Sequence, residues 1–452
     1  MFIDERIIEN GVTVPFLAKL IEKRNTQEVR LNTLRNYYEG KHPILDREKS
    51  SKEAANNKIV VNHAKYITDI STSYIAGNAI EYSPSEEYDI EAIKNEYLVQ
   101  DIETLDFELE KTLSIYGRAY ELDYVNEEGS PRSVLIEPEH AFVIYSDDSR
   151  HKPLLGIHYY KSYDENGKCT GVTCNTYDAE YIRTYTSAKD DWSTMHLENE
   201  EPHYFGDVPL FEYKNNRERQ GDYEQTISLI DAYNTQMSDR VNDKENFVDS
   251  FLLLKGIEID GEQAQKLKRQ KILIADNESG DAKYLSDTMS ESDIKILRDD
   301  IKDDIHRMSM VPDLSDESFA NNTSGVAIKY KLITFEQNIK AKEKYLAKGL
   351  KQRFQLYNTI LAIKNVMQIV PIHRVDVVFT HNLPVNNLEN AQMTSYLAGR
   401  VSNETLISQL DFVTDAKEES KLAKDEQNED FANQVSRVTE FSSGGGYGNV
   451  QD

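Results

Sequence analysis

Asp299-Asp300-Ile-Lys-Asp303-Asp304 is the stretch whose residue types and spacing come closest to catalysis. Two carboxylate pairs a helical turn apart share one face, an arrangement that can hold Mg²⁺ against a diphosphate. A helical, metal-dependent transferase would use Asp299, Asp300 and Asp303 in this way. It would also need a second charged cluster across a cavity, and the sequence has no second Asp-rich motif. Lys295, Arg298, Lys302 and Arg307 alternate with the aspartates and read as their partners along a solvated helix face. Other catalytic patterns are missing. There is no Gly-rich loop ending in Lys-Ser/Thr, no paired-His zinc motif and no Gly-x-Ser-x-Gly elbow. His63, His140, His158 and His381 read as structural. Cys169 and Cys174 read as reduced thiols placed to face each other across a hairpin. The expectation is a protein with no catalytic residue, no metal and no cofactor.

Charge narrows the field further. The chain has 452 residues, with 52 Lys and Arg against 79 Asp and Glu, a formal charge of −27. Affinity for nucleic acid comes from neutralising phosphates, so this chain repels DNA on average. That argues against a sequence-reading factor but not against a wall past which DNA slides. No window approaches 18 apolar residues, so no membrane span is expected. The start, Met-Phe-Ile-Asp-Glu-Arg, lacks a signal peptide's basic start and apolar core, which places the chain in the cytoplasm where it is made.

The elements that must position any site follow from periodicity. Helical stripes run Leu31, Leu34, Tyr38; Ile67, Ile70, Tyr74; and Ile102, Leu105, Leu109, Leu113, Tyr116. They close at Gly40, Gly77 and Gly117, read as left-handed caps. From about 118 to 213 the period becomes two, with turns at Asn126–Gly129 and Asp164–Gly167, predicting an antiparallel sheet. The N-terminal part is therefore α+β. Ile227, Ile230, Tyr233, Met237, Val241, Phe247, Phe251 and Leu252 predict a helix over 225–255. Ile294, Leu297, Ile301, Ile305 and Met308 predict a returning helix over 291–311, stopped by Pro312. Between them lies an insert with strand-like runs such as Lys271-Ile-Leu-Ile-Ala275.

A polar loop, 312–324, precedes a helix of nearly forty residues with a kink expected at Gly349. That helix is rich in Lys (Lys329, Lys331, Lys340, Lys342, Lys344, Lys348, Lys351, with Arg353), read as a solvated face or as charge neutralising acidic neighbours. A strand over 373–380 and short helices around 391–397 and 404–412 follow. The tail after Val413 is charged, then glycine-rich, and cannot bury enough apolar surface to order itself. Stem, insert, stem, loop and spine form a mechanical layout.

In several segments the chain resembles the portal proteins of tailed bacteriophages, in the version found in long-tailed phages of Gram-positive hosts. The segments are Asn36-Tyr-Tyr-Glu-Gly-Lys-His42, Ser73-Tyr-Ile-Ala-Gly-Asn78, Ser114-Ile-Tyr-Gly-Arg-Ala-Tyr-Glu-Leu122 and Ile136-Glu-Pro-Glu-His140. Val208-Pro-Leu-Phe-Glu-Tyr-Lys-Asn-Asn216, Gly221-Asp-Tyr-Glu, Leu229-Ile-Asp-Ala-Tyr-Asn234, Asn322-Thr-Ser-Gly-Val-Ala327 and Thr380-His-Asn-Leu-Pro384 continue the series in order.

The resemblance implies a homododecameric ring at a capsid vertex of the virion, assembled in the host cytoplasm. Double-stranded DNA would pass through it during packaging and ejection without being read. It implies an α+β wing over 1–224 and stem helices over 225–255 and 291–311. A small α/β clip over 256–290, a channel loop over 312–324 and a spine helix over 325–364 would follow, then a strand and helical crown over 365–435 and a flexible tail over 436–452. The loop residues Asn321, Asn322, Thr323 and Ser324 would come closest to DNA. Lys329, Lys331, Asp299 and Asp303 would line the channel or meet neighbouring subunits. Lys266, Lys268, Arg269 and Lys271 of the clip would face the terminase large subunit, and later the head–tail adaptor. Major capsid and scaffolding proteins complete the implied partners. The alternatives are another head–tail connector or minor capsid component, and the Mg²⁺-dependent transferase built on Asp299–Asp304.

Overall fold

The computed structural model describes residues 1–9, 11–49, 55–85, 87–248, 251–255, 272–275, 281–285, 291–315, 325–381, 394–408, 410, 413 and 416–426. Helix and sheet are mixed throughout, as the alternation of periods predicts.

The N-terminal helices are α1 (Glu5–Glu9), α2 (Val14–Asn25), α3 (Glu28–Tyr38), α4 (His63–Ala76), α5 (Glu91–Gln100) and α6 (Ile102–Tyr116). Strands β1 (Phe2–Ile3) and β2 (Glu81–Pro84) lie among them. The β-rich region supplies β3 (Arg118–Val125), β4 (Pro131–Ile136), β5 (Ala141–Ser146), β6 (Pro153–Tyr163), β7 (Cys169–Tyr177), β8 (Tyr181–Ser187), β9 (His196–Pro202) and β10 (Leu210–Lys214). The single sheet expected over 118–213 is in fact two. One has the order β1-β5-β6-β7-β8-β9 and the other β10-β3-β4. β1 joins β5 in parallel, whereas every other pairing in these two sheets is antiparallel. Cys169 and Cys174 both sit on β7, opposite Tyr163 and Tyr159, so they do not face each other across a hairpin. Of the three glycine caps, Gly40 and Gly117 take φ of +80° and +77°, but Gly77 stays right-handed.

The stem-like pair is α7 (Ile227–Val248) and α8 (Glu291–Ser309). The first helix ends sooner than its apolar pattern suggests. Phe251-Leu-Leu-Leu-Lys255 is a strand, β11, hydrogen-bonded in parallel to β12 (Ile272–Ala275) and antiparallel to β13 (Asp281–Leu285). A short, continuous apolar run fits a buried strand as well as a helix, and pairing on both edges decides it.

Helix α9 (Gly325–Ile363) runs unbroken through Gly349. That glycine is a packing position rather than a kink, because a Cβ there would lie 2.2 Å from the Tyr213 ring. β14 (Val375–Val378), shorter than expected, pairs antiparallel with β2, tying the C-terminal region back to the N-terminal one. Residues 394–397 are helical, and α10 (Asn403–Ile407) stands where a helix over 404–412 was expected. Residues 416–426, in the stretch expected not to order itself, are helical too, with Glu418 3.9 Å from Lys94 and Lys417 3.6 Å from Asp376.

Two cores form. One joins α3–α6 to α9 through residues such as Leu31, Ile67, Leu109, Leu113, Phe354 and Tyr357. The other packs Leu17 and Ile21 of α2 on Ile144, Leu155, Ile157 and Val172 of the six-stranded sheet.

Candidate functional site

Three sets of contacts hold α7, the end of α8 and α9. The first seats α7. Its apolar stripe faces the core, but Asn234, Ser238 and Asn242, one turn apart, form a second, polar stripe that is also buried. Their side-chain oxygens accept the backbone N–H groups of Val61 (2.8 Å), Ile59 (2.9 Å) and Asn57 (2.7 Å). An extended segment is thus docked onto a helix with its inward amides satisfied, as buried amides must be.

The second set holds the end of α8. Met310 takes a left-handed φ of +59° and ends the helix. Nδ1 of His306 lies 3.0 Å from the Val311 carbonyl, and Val311 is buried. Tyr66 of α4 donates its hydroxyl to the Pro312 carbonyl (3.2 Å) and accepts from the Leu314 amide (2.9 Å). Between these, Asp313 pairs with Lys302 at 2.5 Å and takes the amide and hydroxyl of Ser315. Burial pushes the Asp313 carboxyl up, but Lys302 and Ser315 outweigh it and hold it at about 2.

The third set fixes α9. Phe335, Ile339, Lys342, Leu346, Leu350, Arg353, Tyr357 and Ile360 follow one another at three- and four-residue steps, and all are buried. The seam is apolar except for two cations set flush within it. Lys342 lies 2.8 Å from Glu110 and 2.7 Å from Asp222. Arg353 is wholly enclosed. It bonds Asp106 at 2.6 Å and grips Glu121 through Nε (2.6 Å) and Nη2 (2.7 Å), while the Tyr213 hydroxyl donates to the same carboxylate.

Burial would lower the Arg353 and Lys342 pKa values, but the facing carboxylates raise both, keeping them charged. Burial likewise opposes ionisation of Glu121, and Arg353 overcomes it, so this carboxyl sits below its usual range. Asp123, buried beside Glu121, is pushed well up and accepts from Ser133. For Glu110 burial outweighs Lys342 and lifts the carboxyl to about 7; for Asp106 it outweighs Arg353 and lifts it to about 6.

At Lys342 and Arg353 the basic face of α9 is not solvated; both cations neutralise acidic neighbours, the second of the two readings of this helix. The signal was in the spacing: Lys342 and Arg353 fall on the apolar step of α9, as Asp106 and Glu110 fall within the buried face of α6. Charges in such positions are almost never left unpaired.

The Asp299–Asp304 stretch lies on α8, away from such a pocket. Arg298 holds Asp299 at 2.6 Å and Arg307 holds Asp304 at 2.9 Å, whereas Lys302 reaches out of the helix to Asp313. Asp300 and Asp303 are exposed. Among the described residues no three His, Cys, Asp or Glu side chains are grouped to hold a metal ion. Asn321, Asn322, Thr323 and Ser324 lie outside the described residues, as do Lys266, Lys268, Arg269 and Lys271. The backbone at Lys329 and Lys331 is helical. Among the described residues no helix is long and apolar enough to cross a membrane.

The fold thus carries a long helix, α9, joined to the N-terminal region by buried ion pairs. Residues 17–431 match the model of the family "Phage portal protein, SPP1 Gp6-like", and the chain belongs to that family. The chain is similar to the portal protein of Bacillus phage SPP1, at 24% identity over a 461-residue alignment covering 94% of this chain and 90% of that one. It is also similar to the portal protein of Clostridium phage phiCD119, at 26% identity over 231 residues, half of each chain. A solved structure described as the neck of an empty GTA particle covers 78% of this chain and 91% of that one, at 13% identity and a TM-score of 0.45. Phage portal proteins are structural components of the capsid vertex, not enzymes.

Proposed function

We propose that this portal protein forms a dodecameric ring through which duplex DNA enters the capsid during packaging and leaves at ejection. The observation that carries the reading is the family match along residues 17–431, a span that includes α7, α8 and α9. In this reading residues 1–224 are the wing, α7 and α8 the stem, and β11–β13 with the insert the clip. Residues 312–324 are the channel loop, α9 the spine, and 365–435 the crown.

Three physical features support it. Ile296, Leu297 and Met308 of α8 are more than half exposed, although the helix is packed on α7 along its other side. Closed rings need such unpartnered faces to meet the next subunit. A charge of −27 per chain gives a wall that does not retain a polyanion. The α9 seam ties the proposed spine to α6 and β3 with buried ion pairs, as a long strut in an assembly would require.

The clip residues Lys266, Lys268, Arg269 and Lys271 would meet the terminase large subunit and then the head–tail adaptor. Scaffolding protein would meet the wing during assembly, and the major capsid protein is a further partner. Lys329, Lys331, Asp299 and Asp303 would line the channel or face neighbouring subunits. Asn321, Asn322, Thr323 and Ser324 would come closest to DNA. An Asn322→Lys variant tests this assignment. The expected result is normal rings with reduced DNA packaged per capsid. Loss of rings with folded monomers would overturn it.

A further inference from the structure

One side chain of α4 closes the junction between α8 and the residues that follow it. The Tyr66 hydroxyl uses both of its hydrogen-bonding capacities on a single stretch of backbone. It donates to the Pro312 carbonyl at 3.2 Å and accepts from the Leu314 amide at 2.9 Å. The residue between them, Asp313, is locked to Lys302 at 2.5 Å, and the residue before them, Val311, is buried with its carbonyl against His306. Consecutive residues are therefore held at the point where the chain leaves α8, and among the described residues the Tyr66 phenol is the α4 side chain hydrogen-bonded there. The ring of Tyr66 is held in turn by the His306 imidazole, edge-on at 5.6 Å.

Two turns further along the same face of α4, Tyr74 packs against Phe335 of α9 (4.8 Å, edge to face) and stacks on His381 (4.6 Å). Tyr66, Ile70 and Tyr74 recur at four-residue steps and so share one side of the helix. One helix therefore holds both the exit from α8 and the first buried turns of α9.

We infer that Tyr66 is a positioning residue for the channel loop: its hydroxyl fixes the place from which the chain departs α8, and α4 is the mount. The inference rests on the portal reading for its functional consequence, but its structural half stands on the contacts alone. A phenol that bridges a carbonyl and an amide two residues apart sets both the position and the direction of that backbone. Removing the oxygen leaves the Pro312 carbonyl, partly buried, and the Leu314 amide, exposed, without this partner.

The test compares the full chain with Tyr66→Phe and, as a control on the same helix face, Tyr74→Phe. Amide hydrogen exchange at Leu314 is read on purified protein, ring formation by electron microscopy, and DNA packaged per capsid in the same preparations. Tyr66→Phe is expected to speed Leu314 exchange by about tenfold, leave rings intact and lower packaging. Tyr74→Phe is expected to leave Leu314 exchange unchanged. Unchanged Leu314 exchange in Tyr66→Phe would overturn the positioning role, whatever the protein does. Faster exchange with normal rings and undiminished packaging would overturn the functional half while leaving the portal reading intact. Failure of the unaltered protein to form rings or support packaging would instead remove the reading on which that half rests.

Discussion

Arg353 meets Glu121 through two parallel hydrogen bonds, 2.6 and 2.7 Å long, at a depth where neither side chain touches solvent. One partner comes from the middle of the long helix α9 and the other from β3 of the N-terminal region. Bidentate geometry fixes the rotation of α9 about its axis as well as its position, which a single ammonium contact cannot do.

Truncating that clamp is therefore costly. Arg353→Met leaves Glu121 and Asp106 buried without a cation, and such broken pairs cost about 3–5 kcal/mol. Arg353→Lys keeps the charge but loses the fork, and is expected to fall between the variant and the original chain. Urea unfolding measures both. A midpoint for Arg353→Met within error of the unaltered protein would mean that the pair does not hold α9.

Gly349→Ala sets two effects against each other. In an ordinary helix interior this change is favourable by roughly 1 kcal/mol, because alanine loses less backbone entropy. Here the added Cβ would sit 2.2 Å from the Tyr213 ring, whose hydroxyl is committed to Glu121. Overpacking of a rigid core costs about 1–3 kcal/mol, so the variant is expected to be less stable despite its better helix propensity. A rise in melting temperature would show that the ring can yield.

His63 gives a pH dependence whose sign follows from burial. Its ring lies edge-on to Tyr233 at 4.9 Å and to His306 at 5.7 Å, and its Nε2 is buried. Burial, then the nearby His306 and Lys302, push its pKa down to about 4, while Asp313 opposes them. The unfolded chain takes up this proton near the ordinary value of about 6.5 and the folded chain does not. The contribution is present in full above about pH 6.5 and is lost as pH falls toward 4. Comparing the chain with His63→Gln cancels the other titrating groups. The stability difference between the two is expected to shift against the unaltered chain by on the order of 2 kcal/mol between pH 7 and 4.5. A difference that stays flat with pH would contradict the burial argument.

Periodicity located most of the elements because their faces are cleanly one-sided. Leu109 and Leu113 of α6, on one buried helix face, admit few other readings, whereas β5, buried at five of its six positions, is marked by apolar density rather than by alternation. The errors share a cause, which is that tertiary partners are invisible in a local window. Phe251–Lys255 reads as a helix until strands on both sides claim it. Gly349 reads as a hinge until Tyr213 is found against it.

The same limit hid the clamps. Arg353 and Lys342 look like members of a basic face, and Asp106, Glu110, Glu121 and Asp222, all more than a hundred residues away, reveal that they point inward. The polar stripe Asn234, Ser238 and Asn242 was overlooked because a buried helix face is normally sought among apolar residues. Tyr66 belongs to the same class, since its role lies wholly in two backbone atoms of a distant segment. Of the proposed loop, the structure describes the approach through Ser315 and the helix from Gly325, so Asn321–Ser324 remain assigned by resemblance.

The account stands or falls on assembly. Single-particle electron microscopy of the purified full chain, viewed down the particle axis, tests this most directly. The portal reading predicts a closed ring with a central opening wide enough for duplex DNA, and with α8 of each subunit against its neighbour. A compact monomer or dimer, at concentrations where portals assemble, would contradict it.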